Sequence, residues 1–243
     1  MRLSLVIPCD HPADDLPALV GAGAALTARA DAEVLLVEAG RRNGRSERLA
    51  ELVRPHPRVR VLKLQGRAGT GGGILAGLRA ARGDVLAWSH AVGREDIGDV
   101  LRGLALLEES EDAFVKGRRT GRPLEDAVFS WALSAFSSGL FGARLWDVHG
   151  GPTLFPRWFH DRWTAPPSDG SLDIYAFVEA RRHGLPVKRF PVHHVDVLPE
   201  DDPGFARRKW RAARQVTAST LALRGRLSGG GRDLSSSTGR DKV

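Results

Sequence analysis

The chain has 243 residues, of which 42% are hydrophobic, enough to bury the core of one ordinary globular domain. Its single cysteine, Cys9, excludes an internal disulfide or a cysteine metal cluster and suits a reducing compartment, so a cytoplasmic protein is expected. The formal charge of +7 suits a protein that meets anions, whether nucleotide phosphates, a lipid phosphate, an anionic membrane surface or nucleic acid, and charge alone does not choose among them.

The opening stretch MRLSLVIPCDHPADD carries only a few apolar residues before a proline and acids, so it reads neither as a signal peptide nor as a membrane span. Residues 3–8 (LSLVIP) read as a buried strand, 16–28 as a helix and 33–37 (EVLLV) as a second strand. A helix over 46–53 and an alternating third strand over 58–64 (RVRVLKL) follow. Residues 71–81 begin a helix that Gly83 stops, and 84–88 (DVLAW) form a fourth strand. Residues 96–108 are amphipathic, and 113–116 are again strand-like. Strands alternating with helices predict an α/β fold, a doubly wound and mostly parallel sheet with helices on both faces. Ligands of such sheets bind beyond the carboxyl ends of the strands, which singles out the loops 8–15, 38–45, 65–73 and 89–96.

The second half is less regular. Residues 126–141 (DAVFSWALSAFSSGLF) are apolar and aromatic on more than one face, which fits either a buried core helix or one resting on a membrane surface, with Arg118, Arg119 and Arg122 reaching lipid phosphates. The connection LWDVHGGPTLFPRWF follows, then a helix over 171–183 closed by Gly184 and a strand over 186–193. A basic helix is expected over 207–223; it lacks the aromatic interleaving of a nucleic-acid platform, and no nucleic-acid partner is expected. The Gly- and Ser-rich end is expected to be a disordered tail over 227–243, after one domain over 1–226.

Taken in order, LSLVIPCDHPADDLPALV, EVLLVEAGRRNGR, GRAGTGGGILAGLRAARGDVLAW, LWDVHGGPTLFPRWF and SLDIYAFVEARRHGLPVKRFPV make the chain resemble the family 2 glycosyltransferases, enzymes of the GT-A fold that use nucleotide-activated sugars. The likeness covers roughly residues 1–215 and extends to bacterial members that act in surface-polysaccharide or polyprenyl-linked sugar assembly. It implies transfer of a sugar from a nucleotide-sugar donor to a lipid-phosphate or glycan acceptor, with peripheral contact at the inner face of a membrane. Pro8 and Asp10, Glu38 and Gly40, Arg67, Gly69, Gly72 and Gly73, and Ser89 and His90 occupy its donor-side positions. Asp147 matches the acceptor-side aspartate, and Asp173, on the acidic helix, matches the base or acceptor holder.

The departures are equally specific. Ala39 replaces a polar residue of the second loop, and Arg41 and Arg42 follow it. The metal motif, usually Asp-x-Asp or His-Ala-Asp, reads His90-Ala91-Val92 here. Manganese or magnesium prefers oxygen ligands, so the valine removes a ligand and its charge and leaves His90 to mark a weakened cation site. Arg41, Arg42 or Arg67 offers positive charge in partial replacement. The C-terminal loop, VDVLPEDDPGFARR, is acidic with its arginines displaced.

Each site has a plainer reading. Residues 69–73 (GTGGG) also suit a flexible loop, and His90 a hydrogen-bonded strand-end histidine. Asp96 also suits a helix N-cap, Asp147 a turn, and Asp173 a helix-start cap after Ser171. The adjacent His193 and His194 point to opposite faces of a strand and do not make a metal pair. Two further functions compete with the transferase: a degenerate homologue that serves as a binding or scaffold partner, and a sugar-phosphate nucleotidyltransferase. The latter needs a basic glycine-rich loop directly after the first strand, which Pro8-Cys9-Asp10-His11 is not.

Overall fold

The computed structural model of the chain describes residues 1–9, 15–39, 45–66, 68–89, 96–121, 124–193, 214 and 217–227. The strands are β1 (Leu3–Pro8), β2 (Ala32–Ala39), β3 (Val59–Leu64), β4 (Val85–Trp88), β5 (Phe114–Thr120), β6 (Thr153–Pro156) and β7 (Val187–His193). Between them run α1 (Leu16–Arg29), α2 (Arg45–Val53), α3 (Gly69–Ala80), α4 (Ile97–Glu108), α5 (Leu124–Phe141), α6 (Arg157–Asp161) and α7 (Leu172–Arg182), and a further helix covers 217–227.

Local chemistry explains several boundaries. Asp15 accepts a hydrogen bond from the Ala18 N–H at 3.1 Å and so satisfies one of the orphan donors that open α1. Asp96 does the same for Gly98 at 3.0 Å at the start of α4, as its N-cap reading anticipates. Every residue of β1 is buried, which an unbroken apolar run at the centre of a two-sided sheet requires.

The seven strands lie in one sheet in the order β3-β2-β1-β4-β6-β5-β7. β3, β2, β1 and β4 are mutually parallel, β6 runs antiparallel to both of its neighbours, and β5 pairs parallel with β7. Both faces are covered. Leu3, Leu5 and Ile7 of β1 pack with α1, α2 and α4 on one side; Val6, Leu35 and Leu86 pack with α3, α6 and α7 on the other. The second core is aromatic: Phe114 stacks on Phe155 and Phe177, and Phe155 meets Trp88 edge-on at 5.4 Å. At the end of the sheet away from the loops of interest, the buried Glu33 is pushed up by burial, but bonds from Ser4, the Arg82 N–H and Arg60 reverse this and hold its pKa below the usual value.

The sequence expectations agree with these elements to within a residue or two, with three exceptions. β5 runs four residues beyond the expected 116, to Thr120, because Arg118, Arg119 and Thr120 continue the pairing with β7. The one-turn helix α6 has too few residues to show a period. In α5 the buried-helix alternative fails at Trp131 and Phe136, which are 58% and 42% exposed, while Ser134 and Ser137 are buried. Of the expected basic helix only 214 and 217–223 are described, and helix continues to 227; the expected tail lies outside the described residues beyond that point.

Candidate functional site

The carboxyl ends of β1, β2 and β4 and the start of α3 meet along one edge of the sheet. Pro8 ends β1 opposite Val37 of β2, and its Cβ lies 3.7 Å from where a side chain on Gly73 would begin. Glu38, one residue on, is 2% exposed. One of its carboxylate oxygens accepts a hydrogen bond from the Ser46 hydroxyl on α2, and the other, Oε1, is buried with no hydrogen-bond partner among the described residues. A buried acceptor in that state is costly unless something donates to it. Ser89, also buried, leaves β4 with its N–H on the Val6 carbonyl at 3.1 Å.

The glycines of α3 have a packing reason. A Cβ on Gly71 would lie 2.2 Å from the Asp169 carbonyl oxygen, and Gly69, at φ +60, lies beneath Ser168. The backbone of Ser168 and Asp169 therefore rests directly on the first turn of α3, an approach that only glycine permits. Gly72 faces the same segment, and Gly73 faces β1 and β2. The structure thus brings Pro8, Glu38, Gly69, Gly72, Gly73 and Ser89 to one edge; Asp10, Gly40, Arg67 and His90 lie outside the described residues. Arg41, Arg42, Arg122 and His194 lie outside as well. Among the described residues no three His, Cys, Asp or Glu side chains stand close enough to share a cation.

Beside this edge, where Trp88 of β4, Thr153 of β6 and Lys116 of β5 are in register, lies a buried polar cluster. Lys116 is 0% exposed and donates to Thr153 Oγ1 at 2.7 Å and Asp173 Oδ1 at 2.9 Å. Its pKa is lowered by burial, with the Asp173 charge opposing that shift. The other Asp173 oxygen faces His149 Nδ1 at 3.8 Å, and His149 Nε2 is buried without a hydrogen-bond partner among the described residues. Asp173 lies in the first turn of α7, after Ser171, which makes no side-chain cap bond of its own. Ahead of the helix, Asp169 Oδ1 accepts from the Ser171 N–H at 2.8 Å and closes a local turn.

Asp147 sits in a turn, as its plainer reading anticipates. Its φ of 43 and the Gly150 N–H on its carbonyl mark a turn, in a conformation that aspartate tolerates better than most residues. Its carboxylate is gripped by Arg119, through Nε at 3.0 Å and the main-chain N–H at 2.8 Å, and lies 3.9 Å from Arg189. The turn sits against β5 because neither Gly117 nor Gly150 has a side chain; a Cβ on Gly117 would be 2.0 Å from the Gly151 oxygen. Arg189 is lowered to about 10 by burial, with Asp147 opposing and Arg118, Arg119 and Arg181 adding repulsion. Arg119 is therefore committed to Asp147, which corrects the expectation that it reaches outward to lipid phosphates.

A small pocket between α5, this turn and α7 is lined by Arg119, Ser134, Ser137, Asp147 and His149, and the Ser137 hydroxyl is buried there with no partner among the described residues. Asp147 and Asp173 thus flank His149, one lining the pocket and the other behind the imidazole. Sequence reading passed over Lys116 and Arg189. The available signal was a lysine inside the otherwise apolar AFVKG and an arginine inside KRFPV, each of which demands a partner once buried. His193 is exposed beside Gly121, away from any cluster of ligands among the described residues.

The fold and the family are independently identifiable by comparison. A crystal structure of a mycobacterial protein superposes with a TM-score of 0.68 at 19% identity, covering 92% of this chain and 74% of that one. Glucosyl-3-phosphoglycerate synthase from Mycobacterium tuberculosis, solved with phosphoglyceric acid, gives a TM-score of 0.67 at 18% identity over 92% of this chain and 79% of that one. The same enzyme solved with Mn2+, UDP-glucose and phosphoglyceric acid gives 0.68 at 16% identity over 92% and 80%. At these identities the likeness is one of fold, the GT-A arrangement of sheet and helices. No curated protein matches the sequence. The model of "Glycosyl transferase family 2" matches residues 4–161, which hold β1 to α6 and most of the site described above, and the chain belongs to that family.

Proposed function

We propose that the protein is a glycosyltransferase that takes a sugar from a nucleoside-diphosphate donor at the edge formed by β1, β2, β4 and α3 and passes it to a lipid-phosphate or glycan acceptor beside His149. The observation that carries this reading is the pairing, in a family 2 chain, of a buried Glu38 oxygen and a buried His149 nitrogen that have no hydrogen-bond partner among the described residues. Glu38 Oε1 accepts from a base or ribose donor of the nucleotide, with Pro8, Ser89 and the α3 glycines shaping the cleft and Asp10, Gly40, Arg67 and His90 completing it.

Asp173 acts through His149. With Oδ1 already holding the Lys116 ammonium, its basicity is spent within the cluster, and its second oxygen orients the imidazole and stabilises it when charged. His149 Nε2 then takes the proton of an acceptor hydroxyl in the pocket next to Asp147. A phosphate acceptor, already anionic, needs only positioning. The residues present do not fit a two-carboxylate cation site, since Val92 stands where the second carboxylate belongs. Charge on the leaving diphosphate is met instead by arginines such as Arg67, and donor binding is expected to depend weakly on manganese.

Turnover tests the reading. Release of nucleoside diphosphate is followed over a panel of sugar nucleotides with polyprenyl phosphate or glycan acceptors. His149→Ala is expected to lower kcat at least about a hundredfold for a hydroxyl acceptor. Unchanged kcat removes His149 from the mechanism. The same losses at Ala39 and Val92 favour a second reading, a binding or scaffold protein on a transferase fold, and a chain that binds donors but turns none over supports it.

A further inference from the structure

We infer that the outer face formed by α5 and the turn before Asp147 docks on an anionic lipid bilayer. Trp131 and Trp146 are 58% and 50% exposed, and their rings meet edge-on with centroids 6.4 Å apart. Phe136 is exposed on the same helix. A helix on a water-facing surface normally turns its serines outward and its aromatics inward; the described half of α5 does the reverse.

The reversal has a local cause. The Asp147 N–H donates to Ser134 Oγ at 3.1 Å, and Ser138 Oγ both accepts from the Leu145 N–H at 2.9 Å and donates to the Leu145 carbonyl at 3.1 Å. Ser134 and Ser138 are thus engaged in holding the turn that carries Asp147 and His149. The aromatic stripe is left outside.

Beside it lies positive charge. The Arg189 guanidinium donates to the Trp146 carbonyl, which joins the aromatic pair to the group of Arg118, Arg119, Arg181 and Arg189. Arg118 and Arg181 are exposed and form no ion pair with a described residue; the neighbouring acids are already taken, Asp147 by Arg119 and Glu179 by Arg182. Tryptophans that present an apolar body and an N–H at a surface, flanked by exposed arginines, match the interface of a bilayer bearing anionic headgroups. Among the described residues no helix is long and apolar enough to cross a membrane, so the contact is peripheral. It would hold the pocket beside Asp147 close to lipid-borne molecules, and it does not depend on the proposed transfer, because vesicle binding is read without turnover.

The test is co-sedimentation of the full chain with phosphatidylcholine vesicles and with vesicles that also contain phosphatidylglycerol. Binding to the anionic vesicles alone is expected, falling at high salt. A Trp131→Ser/Trp146→Ser double variant and an Arg118→Glu/Arg181→Glu double variant should each bind at least about tenfold more weakly, with circular dichroism and urea midpoint unchanged. Absence of binding overturns the inference, as does binding that neither variant weakens. So does a dimer in sedimentation velocity that the tryptophan variant dissolves, which would assign the face to a second copy.

Discussion

Lys116→Met is the perturbation that probes the buried cluster most sharply. Lys116 has no exposed surface and its ammonium lies 2.9 Å from Asp173, so solvent does not screen the pair. Removing one partner of such a pair costs about 3–5 kcal/mol, because the other charge stays buried. Burial of the lysine is itself unfavourable, as its lowered pKa records, so removing it returns part of that cost and a net loss near 3 kcal/mol is expected. For a chain of this size each kcal/mol moves Tm by about 2–4 °C, giving a drop of about 6–12 °C. Urea unfolding followed by circular dichroism measures it. Lys116→Met/Asp173→Asn, which removes both charges, should return to within about 1 kcal/mol of the wild type. A loss below about 1 kcal/mol in the single variant, or a double variant no more stable than the single one, refutes the view that Lys116 exists to neutralise Asp173.

Three other outcomes follow from particular contacts. Gly71→Ala places a Cβ 2.2 Å from the Asp169 carbonyl and should cost about 1–3 kcal/mol in urea unfolding, whereas Ala at Gly21, which has open space, should not destabilise. Asp147→Asn keeps a residue that tolerates φ 43 while losing the charge facing Arg119 and Arg189; Asp147→Ala loses both and should be the less stable of the two by about 1 kcal/mol. His160 is held below its ordinary 6.5 by burial, with Asp161 opposing. The unfolded chain therefore binds more protons just below 6.5, and stability falls as pH drops through that window. Urea midpoints between pH 7.5 and 5 should show a shallower fall in His160→Asn, and identical slopes would count against the assignment.

The parallel half of the fold was legible because its strands are buried on both faces. Runs such as LSLVIP and EVLLV have no other reading between helix-length patterns, and Gly83 and Asp96 punctuate them with known chemistry. The antiparallel insertion of β6 was not legible in its pairing, since four apolar residues carry no direction. Topology alone singled out the strand ends that carry Pro8, Glu38 and Ser89, and the resemblance picked the residues within them. The Lys116–Asp173 pair did not, because 57 residues separate its members and only the packing of α7 over β5 joins them. In α5, period and composition left the exposed face open, and what turns Trp131 and Phe136 outward is long-range: Ser134 and Ser138 are claimed by the turn at 145–147.

Calorimetric titration with UDP, GDP and their sugar conjugates, with and without manganese, tests the central claim most directly. The account predicts that at least one nucleotide binds, that manganese changes its affinity little, and that Glu38→Ala weakens it about tenfold through loss of a hydrogen bond to a charged acceptor. A failure of every nucleotide to bind under either condition would contradict the transferase reading and leave the fold as a scaffold.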